Sequence, residues 1–295
     1  MEVRMQPRSD TGQRCLEFEV YTTPRAPVFS YLDWQGNRVH TFDVPDRHTH
    51  LTIRARALVD ASPPAIQSLE GGSWDQLATE TEGGAFWDML MPSHFIHPSE
   101  ALHILALELR AERGPTPYAT IRHLAGALHD ALTYQPDSTR VDSPIEEALT
   151  SRRGVCQDFA HILIALVRPL GIPCRYVSGY LYHRGGQHDR STPDATHAWT
   201  EAWLPGAGWI GFDPTNNLVT NDRHICVAVG RDYADVPPTR GLFRGAAATE
   251  LAVAVRVRPA EAPAVEPEEL EDAPYRPAAA ATRVSDQDLQ EQPQQ

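Results

Sequence analysis

The 295-residue chain is predicted to be an α+β protein, a small β domain followed by a larger core of helices and strands. Three observations predict it. Near residue 60, Leu51, Ile53, Ala55, Ala57 and Val59 alternate with Thr52, Arg54 and Arg56, the period of a strand with one buried face. From Ser99 the apolar spacing becomes helical, at Leu102, Leu105, Ala106 and Leu109. Later, Thr196 to Leu204 and Trp209 to Asp213 return to extended runs around Pro205-Gly206-Ala207-Gly208, a β-hairpin with a four-residue loop.

In chain order, Tyr31 to Val44 with the turn Gly36-Asn37 predicts a hairpin, so residues 1–60 form the N-terminal β domain. Pro and Gly from Ala61 to Gly72 break the alternation, and residues 61–98 are predicted as linker and connecting chain. Helices are expected over Ser99 to Arg113 and over Pro117 to Leu132, where Ile121, Leu124, Leu128 and Leu132 repeat. A short helix should start at Ser143 as N-cap, with Pro144 at its first position and Glu146 at its third, and end near Ser151. Phe159, Ile162, Leu163, Leu166 and Leu170 then share one side of an amphipathic, largely buried helix from Cys156. Gly171-Ile172-Pro173 stops it, and Cys174 to Leu181 reads as a strand. The polar, Gly-containing stretch His183 to Ala195 is predicted as a mobile surface loop, and Leu251 to Val257 as a strand closing a core that runs over 99–258. Residues 259–295, rich in Ala, Pro, Glu and Gln, are predicted to be a disordered tail.

Composition narrows the function classes. All 26 basic residues are Arg and the formal charge is −13, seven of those negative charges lying in 259–295. The body is only mildly acidic, which gives no electrostatic case for nucleic acid. No apolar run reaches the roughly 18 residues of a membrane span, and Met1 to Asp10 has no signal-peptide pattern, so a cytoplasmic protein off the membrane is expected. Cys15, Cys156, Cys174 and Cys226 form no CxxC pair, and neither a disulfide framework nor a zinc knuckle is suggested. His48 and His50, or His94 and His97, lack the thiol or carboxylate company that a metal site needs, so no metal and no cofactor is expected. No feature sets an oligomeric state.

Three residues point to nucleophilic chemistry. Cys156 lies two residues after Gly154 and opens a helix, where free backbone amides and the positive end of the dipole favour a thiolate, and where the amides of Cys156 and Gln157 suit an oxyanion. His197 starts one strand of the hairpin and Asp213 ends the other. A four-residue loop leaves these two about three residues out of register, roughly 10 Å at 3.3 Å per residue, so contact requires a bulge or a different turn. Trp199 and Trp209 share faces with them and are expected to wall a substrate cleft. Each residue alone has an ordinary structural reading, as a packed thiol, a strand histidine or a turn aspartate. A thiol, an imidazole and a carboxylate together have the three roles of a nucleophile triad.

Arg153-Gly154-Val155-Cys156-Gln157-Asp158, His197-Ala198-Trp199-Thr200-Glu201-Ala202-Trp203 and Gly208-Trp209-Ile210-Gly211-Phe212-Asp213-Pro214-Thr215 resemble, in order and spacing, the signature blocks of the transglutaminase-like superfamily. The resemblance covers about Ser99 to Asp232, and Gly36 to Asp60 resembles the β domain of its bacterial branch. It implies a papain-like core, helices packed on an antiparallel sheet, and a peptide or protein substrate. Cys156 would attack the amide carbonyl, His197 would act as base and then acid, and Asp213 would orient the imidazole. Hydrolysis is slightly favoured over transamidation, and a catalytically idle peptide-binding module is the alternative. Tyr134 and Tyr180 are candidates for an oxyanion hydroxyl or pocket wall, with core packing as the competing reading, and Gln157 and Asp158 for partners at the helix start. Members of that branch begin with further strand residues, so a truncated β domain with an unpaired edge is expected here.

Overall fold

A computed structural model describes residues 1–10, 12–61, 72–184, 189–193, 195–242 and 251–261. The chain folds in the order β1 (Glu2–Val3), β2 (Gln13–Thr23), β3 (Phe29–Leu32), β4 (Arg38–Thr41) and β5 (Thr52–Ala61), then α1 (Trp74–Thr81), α2 (Trp87–Leu90), α3 (Glu100–Glu108) and α4 (Pro117–Ala131). Next come β6 (Thr133–Tyr134), α5 (Ile145–Ser151), β7 (Arg153–Gly154), α6 (Cys156–Val167), β8 (Cys174–Leu181), β9 (Thr196–Leu204), β10 (Gly208–Asp213), β11 (Leu218–Val219), β12 (His224–Gly230) and β13 (Thr239–Arg240). Residues Met1–Ala260 make one compact unit. No helix among the described residues is long and apolar enough to cross a membrane.

A five-stranded sheet in the order β11-β10-β9-β8-β12, antiparallel throughout, carries the core. Helix α6 lies against β8 and β9 and is flanked by α3, α4 and α5. Every residue from Gln157 to Val167 is buried, so the helix, expected to be amphipathic and largely buried, is enclosed on all sides. The expected Leu170 belongs instead to a 3-10 turn, Arg168–Leu170, that ends at Gly171 with φ +89°. Along β9 the side chains alternate: Ala198 and Ala202 join the cluster around α6, and Thr200 Oγ1 donates to the Ala160 carbonyl, so His197, Trp199 and Glu201 point to the other face.

The N-terminal strands form a four-stranded sheet, β13-β1-β4-β3, and a separate β2–β5 ribbon. The predicted hairpin is present as β3–β4, turning at Gly36 with φ +76°. β1 pairs on both sides, with β4 and β13, so it lies inside this sheet. The apolar face of β5 is half-buried at most, and among the described residues its only strand partner is β2. Two side-chain amides from this region cover the outer edge of β12. Gln13 both accepts from the Cys226 N–H and donates to its carbonyl, at 2.8 Å each, and Asn37 does the same for Val229. Together with the Arg8 backbone N–H, which donates to the Cys226 carbonyl at 3.0 Å, these amides cover the edge as a sixth strand would.

Other expectations are corrected. The connecting stretch before Ser99 contains α1, with a Ser73–Gln76 capping box, and α2; residues 62–71 of the linker lie outside the described residues. α5 begins one residue later than predicted, because the Ser143 hydroxyl donates to Glu147 at 2.7 Å and leaves the cap to Pro144. Leu251 to Val257 forms no strand with any of the described residues and most of it is exposed. Of the predicted tail, residues 262–295 lie outside the described residues.

Candidate active site

Cys156 is the first residue of α6 and is half-buried. The start of the helix is held by Asp158, whose Oδ2 accepts the Val155 N–H at 2.8 Å and the Thr139 hydroxyl. Gly154 must be a glycine here, for a Cβ would come within 2.9 Å of the Asp158 side chain. The first helical bonds run from the N–H groups of Asp158 and Phe159 to the Val155 carbonyl, so the amides of Cys156 and Gln157 stand at the end of the ladder, where a helix has no internal acceptor. Gln157 turns away and donates to the Val141 carbonyl at 3.0 Å.

The hairpin register brings His197 and Asp213 together. Gly208 pairs directly with Leu204, so the loop has three residues where four were predicted. Phe212 lies opposite Thr200, which sets Asp213 opposite Trp199, two residues from His197 on the same face. The predicted offset of three would have put the pair on opposite faces, and no bulge is needed once the loop is one residue shorter. His197 Nε2 and Asp213 Oδ2 are 2.8 Å apart, both fully buried.

Asp213 accepts three further hydrogen bonds: from the Asn216 backbone at 3.1 Å, from Asn216 Nδ2 at 2.8 Å and from His224 Nε2 at 3.2 Å. Burial opposes ionisation of this carboxyl, and the two imidazoles outweigh it, holding Asp213 well below the usual carboxylate range. Burial likewise opposes charge on His197, but the Asp213 carboxylate, aided by the nearby Cys156 thiol, raises its pKa to about 10. His197 Nδ1 is buried without an aligned hydrogen bond. The Cys156 thiol is near enough to influence the ring, with no hydrogen bond aligned between them.

Trp199, only 1% exposed, backs this group as a wall and lines no cleft. Its ring lies edge-on to His224 at 5.4 Å and 6.1 Å from His197. Gly179 on β8 makes room for it, since a Cβ there would stand 2.5 Å from the indole. Trp209 is at the far end of the hairpin, under Arg175 and against Trp203, away from Asp213. The Tyr180 hydroxyl donates to the Met5 carbonyl at 3.3 Å and takes no part in the site. Tyr134 meets Thr192 at 3.0 Å, on the loop preceding β9.

That loop was predicted to be mobile, yet its described residues are tied down. Asn216 Oδ1 accepts from the backbone of Arg190 and Ser191, and Arg223 donates to Asp189 at 2.7 Å; residues 185–188 and 194 lie outside the described residues. Asn216 and His224 were missed by sequence reasoning. Asn216 had a signal, an Asx residue three positions after Asp213 in a turn. His224 had none, being a lone histidine before an apolar run.

His197, Asp213 and His224 offer three possible ligand atoms within 4.8 Å of one another. In this arrangement each ring directs Nε2 at the carboxylate, and Asn216 adds two more donors, so the group is satisfied as a hydrogen-bond network.

Family models match the chain in two parts: the transglutaminase-like superfamily over residues 106–214 and a bacterial transglutaminase-like N-terminal region over residues 1–60. The uncharacterized protein ML0607 of Mycobacterium leprae is 34% identical over 259 residues, covering 87% of this chain and 90% of its own length. The crystal structure of a Cytophaga hutchinsonii protein put forward as a cysteine protease matches with a TM-score of 0.65 and 25% identity, over 80% of this chain and 78% of that one. A protein-glutamine gamma-glutamyltransferase of Pseudomonas aeruginosa is 31% identical over 164 residues, 51% of this chain and 24% of that protein.

Proposed function

Because the chain belongs to the transglutaminase-like superfamily, we propose that it is a thiol enzyme acting on amide bonds of a peptide or protein through a thioester on Cys156. The observation that carries the reading is the buried His197–Asp213 pair at 2.8 Å beside the half-buried thiol at the start of α6. A buried imidazole held as its cation by a carboxylate is suited to stabilise a thiolate and then to hand a proton to a departing amine.

In this mechanism the Cys156 thiolate attacks the amide carbonyl, and the amides of Cys156 and Gln157 receive the developing oxyanion. The C–N bond breaks as His197 gives its proton to the nitrogen, which leaves as ammonia or an amine. His197, now neutral, takes a proton from the acceptor, which attacks the thioester and releases Cys156. Asp213 keeps the ring oriented and compensates its charge in both steps.

Water is the acceptor we favour over an amine. The Cytophaga hutchinsonii protein put forward as a protease matches four-fifths of this chain, whereas the glutamyltransferase match takes in only 24% of that protein. The chain has no lysine, so any lysine acceptor for transamidation must come from another protein. The test is to supply a glutaminyl peptide with and without a primary amine and to follow ammonia release, peptide cleavage and amine incorporation, with Cys156→Ala as control. Hydrolysis gives ammonia or cleavage at a rate independent of the amine. Incorporation that dominates would reverse the choice of acceptor, and turnover surviving in Cys156→Ala would overturn the thiol mechanism.

A further inference from the structure

Asp213 is served by two histidines, and the catalytic scheme above uses only one. His224 opens β12, is 6% exposed, and directs Nε2 at the same Oδ2 that His197 reaches, at 3.2 Å against 2.8 Å. Its other nitrogen, Nδ1, lies 3.3 Å from both the Asn221 backbone N–H, a donor, and Asn221 Oδ1, an acceptor already taken by the Arg223 N–H at 3.1 Å. The carboxylate can only accept, so Nε2 carries a proton that points at Asp213, and burial disfavours the second proton that would make the ring a cation, which leaves Nδ1 to accept from the Asn221 N–H. The Trp199 ring packs edge-on against the imidazole, and the Gln13 and Asn37 amides hold the β12 edge from outside. The ring is therefore fixed on several sides with one donor aimed at Asp213.

We propose that His224 is a positioning residue for the reaction: as a neutral Nε2–H imidazole it fixes the Asp213 carboxylate and shares the charge of Oδ2 with His197. This inference rests on the thiol-enzyme reading. An oxygen that accepts from a single ring concentrates its charge there and locks that ring as a cation, which makes a poor base. Dividing Oδ2 between two ring N–H groups and Asn216 Nδ2 keeps the carboxylate oriented while moderating its hold on His197. The charged and titratable groups facing His224 are Asp213 on β10, His197 on β9 and its own neighbour Arg223. Burial first, and then His197 and Arg223, disfavour its cation against the pull of Asp213, and its pKa is lowered.

The test compares His224→Leu, which keeps bulk and removes the donor, with His224→Gln, which restores an N–H. Turnover and iodoacetamide modification of Cys156 are followed against pH on protein shown to be folded by circular dichroism. His224→Leu is expected to lose about tenfold or more in kcat with little change in KM, the scale of one hydrogen bond to a charged group. Its His197-linked limb should move up by roughly half a pH unit or more. His224→Gln should recover most of both. A folded Leu variant with an unmoved limb, or a folded Gln variant no better than Leu, overturns the proposal. Where the Leu variant does not fold, nitrogen-15 NMR of the unaltered protein decides: His224 must remain the neutral Nε2–H tautomer while Asp213 is ionised, and an Nδ1–H tautomer or a cation at neutral pH refutes the assignment. That spectrum needs no activity, so it separates failure of this inference from failure of the enzyme reading, which an inert Cys156 in the unaltered protein would reveal.

Discussion

Replacing Asp213 by Asn tests the electrostatic core of the site with almost no change in shape. An asparagine can keep its oxygen where Oδ2 stands, still accepting from His197, His224 and Asn216 Nδ2, and then its amide meets the Asn216 backbone N–H as a single donor–donor clash. The larger loss is charge. His197 is raised to about 10 because the carboxylate overcomes its burial, so without the carboxylate the ring gives up its proton at neutral pH. Removing a proton at pH 7 from a group that holds it to about 10 costs on the order of 4 kcal/mol at 1.36 kcal/mol per pH unit. This lies within the roughly 3–5 kcal/mol found for breaking one side of a buried pair, and should lower the melting temperature by about 10 °C. The pH dependence has a definite sign. A group whose pKa is raised on folding contributes fully below its ordinary 6.5 and loses that contribution as pH climbs through about 10. Thermal unfolding of Asp213→Asn and of the unaltered protein should therefore differ most at pH 6 to 7 and converge toward pH 10 and above. A difference that stays constant with pH, or a shift below about 2 °C at pH 7, would refute the ion-pair account.

Two further outcomes follow from the same structure. Iodoacetamide on native protein at neutral pH should modify Cys156 ahead of the other thiols, since burial pushes Cys174 up to about 12, Cys226 well above its ordinary value, and Cys15 upward as well; peptide mapping that finds Cys174 or Cys226 modified as fast would remove the case for an activated thiol. Asn37→Ala should destabilise the fold by about 2 kcal/mol by leaving the buried Val229 N–H and carbonyl without partners, measured by denaturant unfolding. An unchanged midpoint would show that the edge of β12 needs no such cover.

Much of this protein is readable one residue at a time. Apolar period sets the type of α3, α4, β8 and β9, and the position of Cys156 after Gly154 at a helix start follows from local spacing. Three signature blocks in order pointed to the family and to Cys156, His197 and Asp213 as candidates. What local pattern misjudged was exposure. β5 alternates as a strand with one buried face, yet among the described residues it pairs only with β2 and that face is half-buried at most, whereas α6, expected to be largely buried, is enclosed by α3, α4, α5 and the sheet.

The amino-acid sequence by itself determined which chemical groups are available and on which elements they ride, because helix and strand periods are properties of neighbouring residues. Tertiary structure alone decided which groups meet. A loop one residue shorter than predicted turned a three-residue offset into two and so put His197 and Asp213 on one face. Pairing of β12 with β8, with its outer edge covered by Gln13 and Asn37, accompanies a contact between His224 and a carboxylate 11 positions away. Register and sheet order depend on contacts between residues distant in the chain, and no local periodicity encodes them.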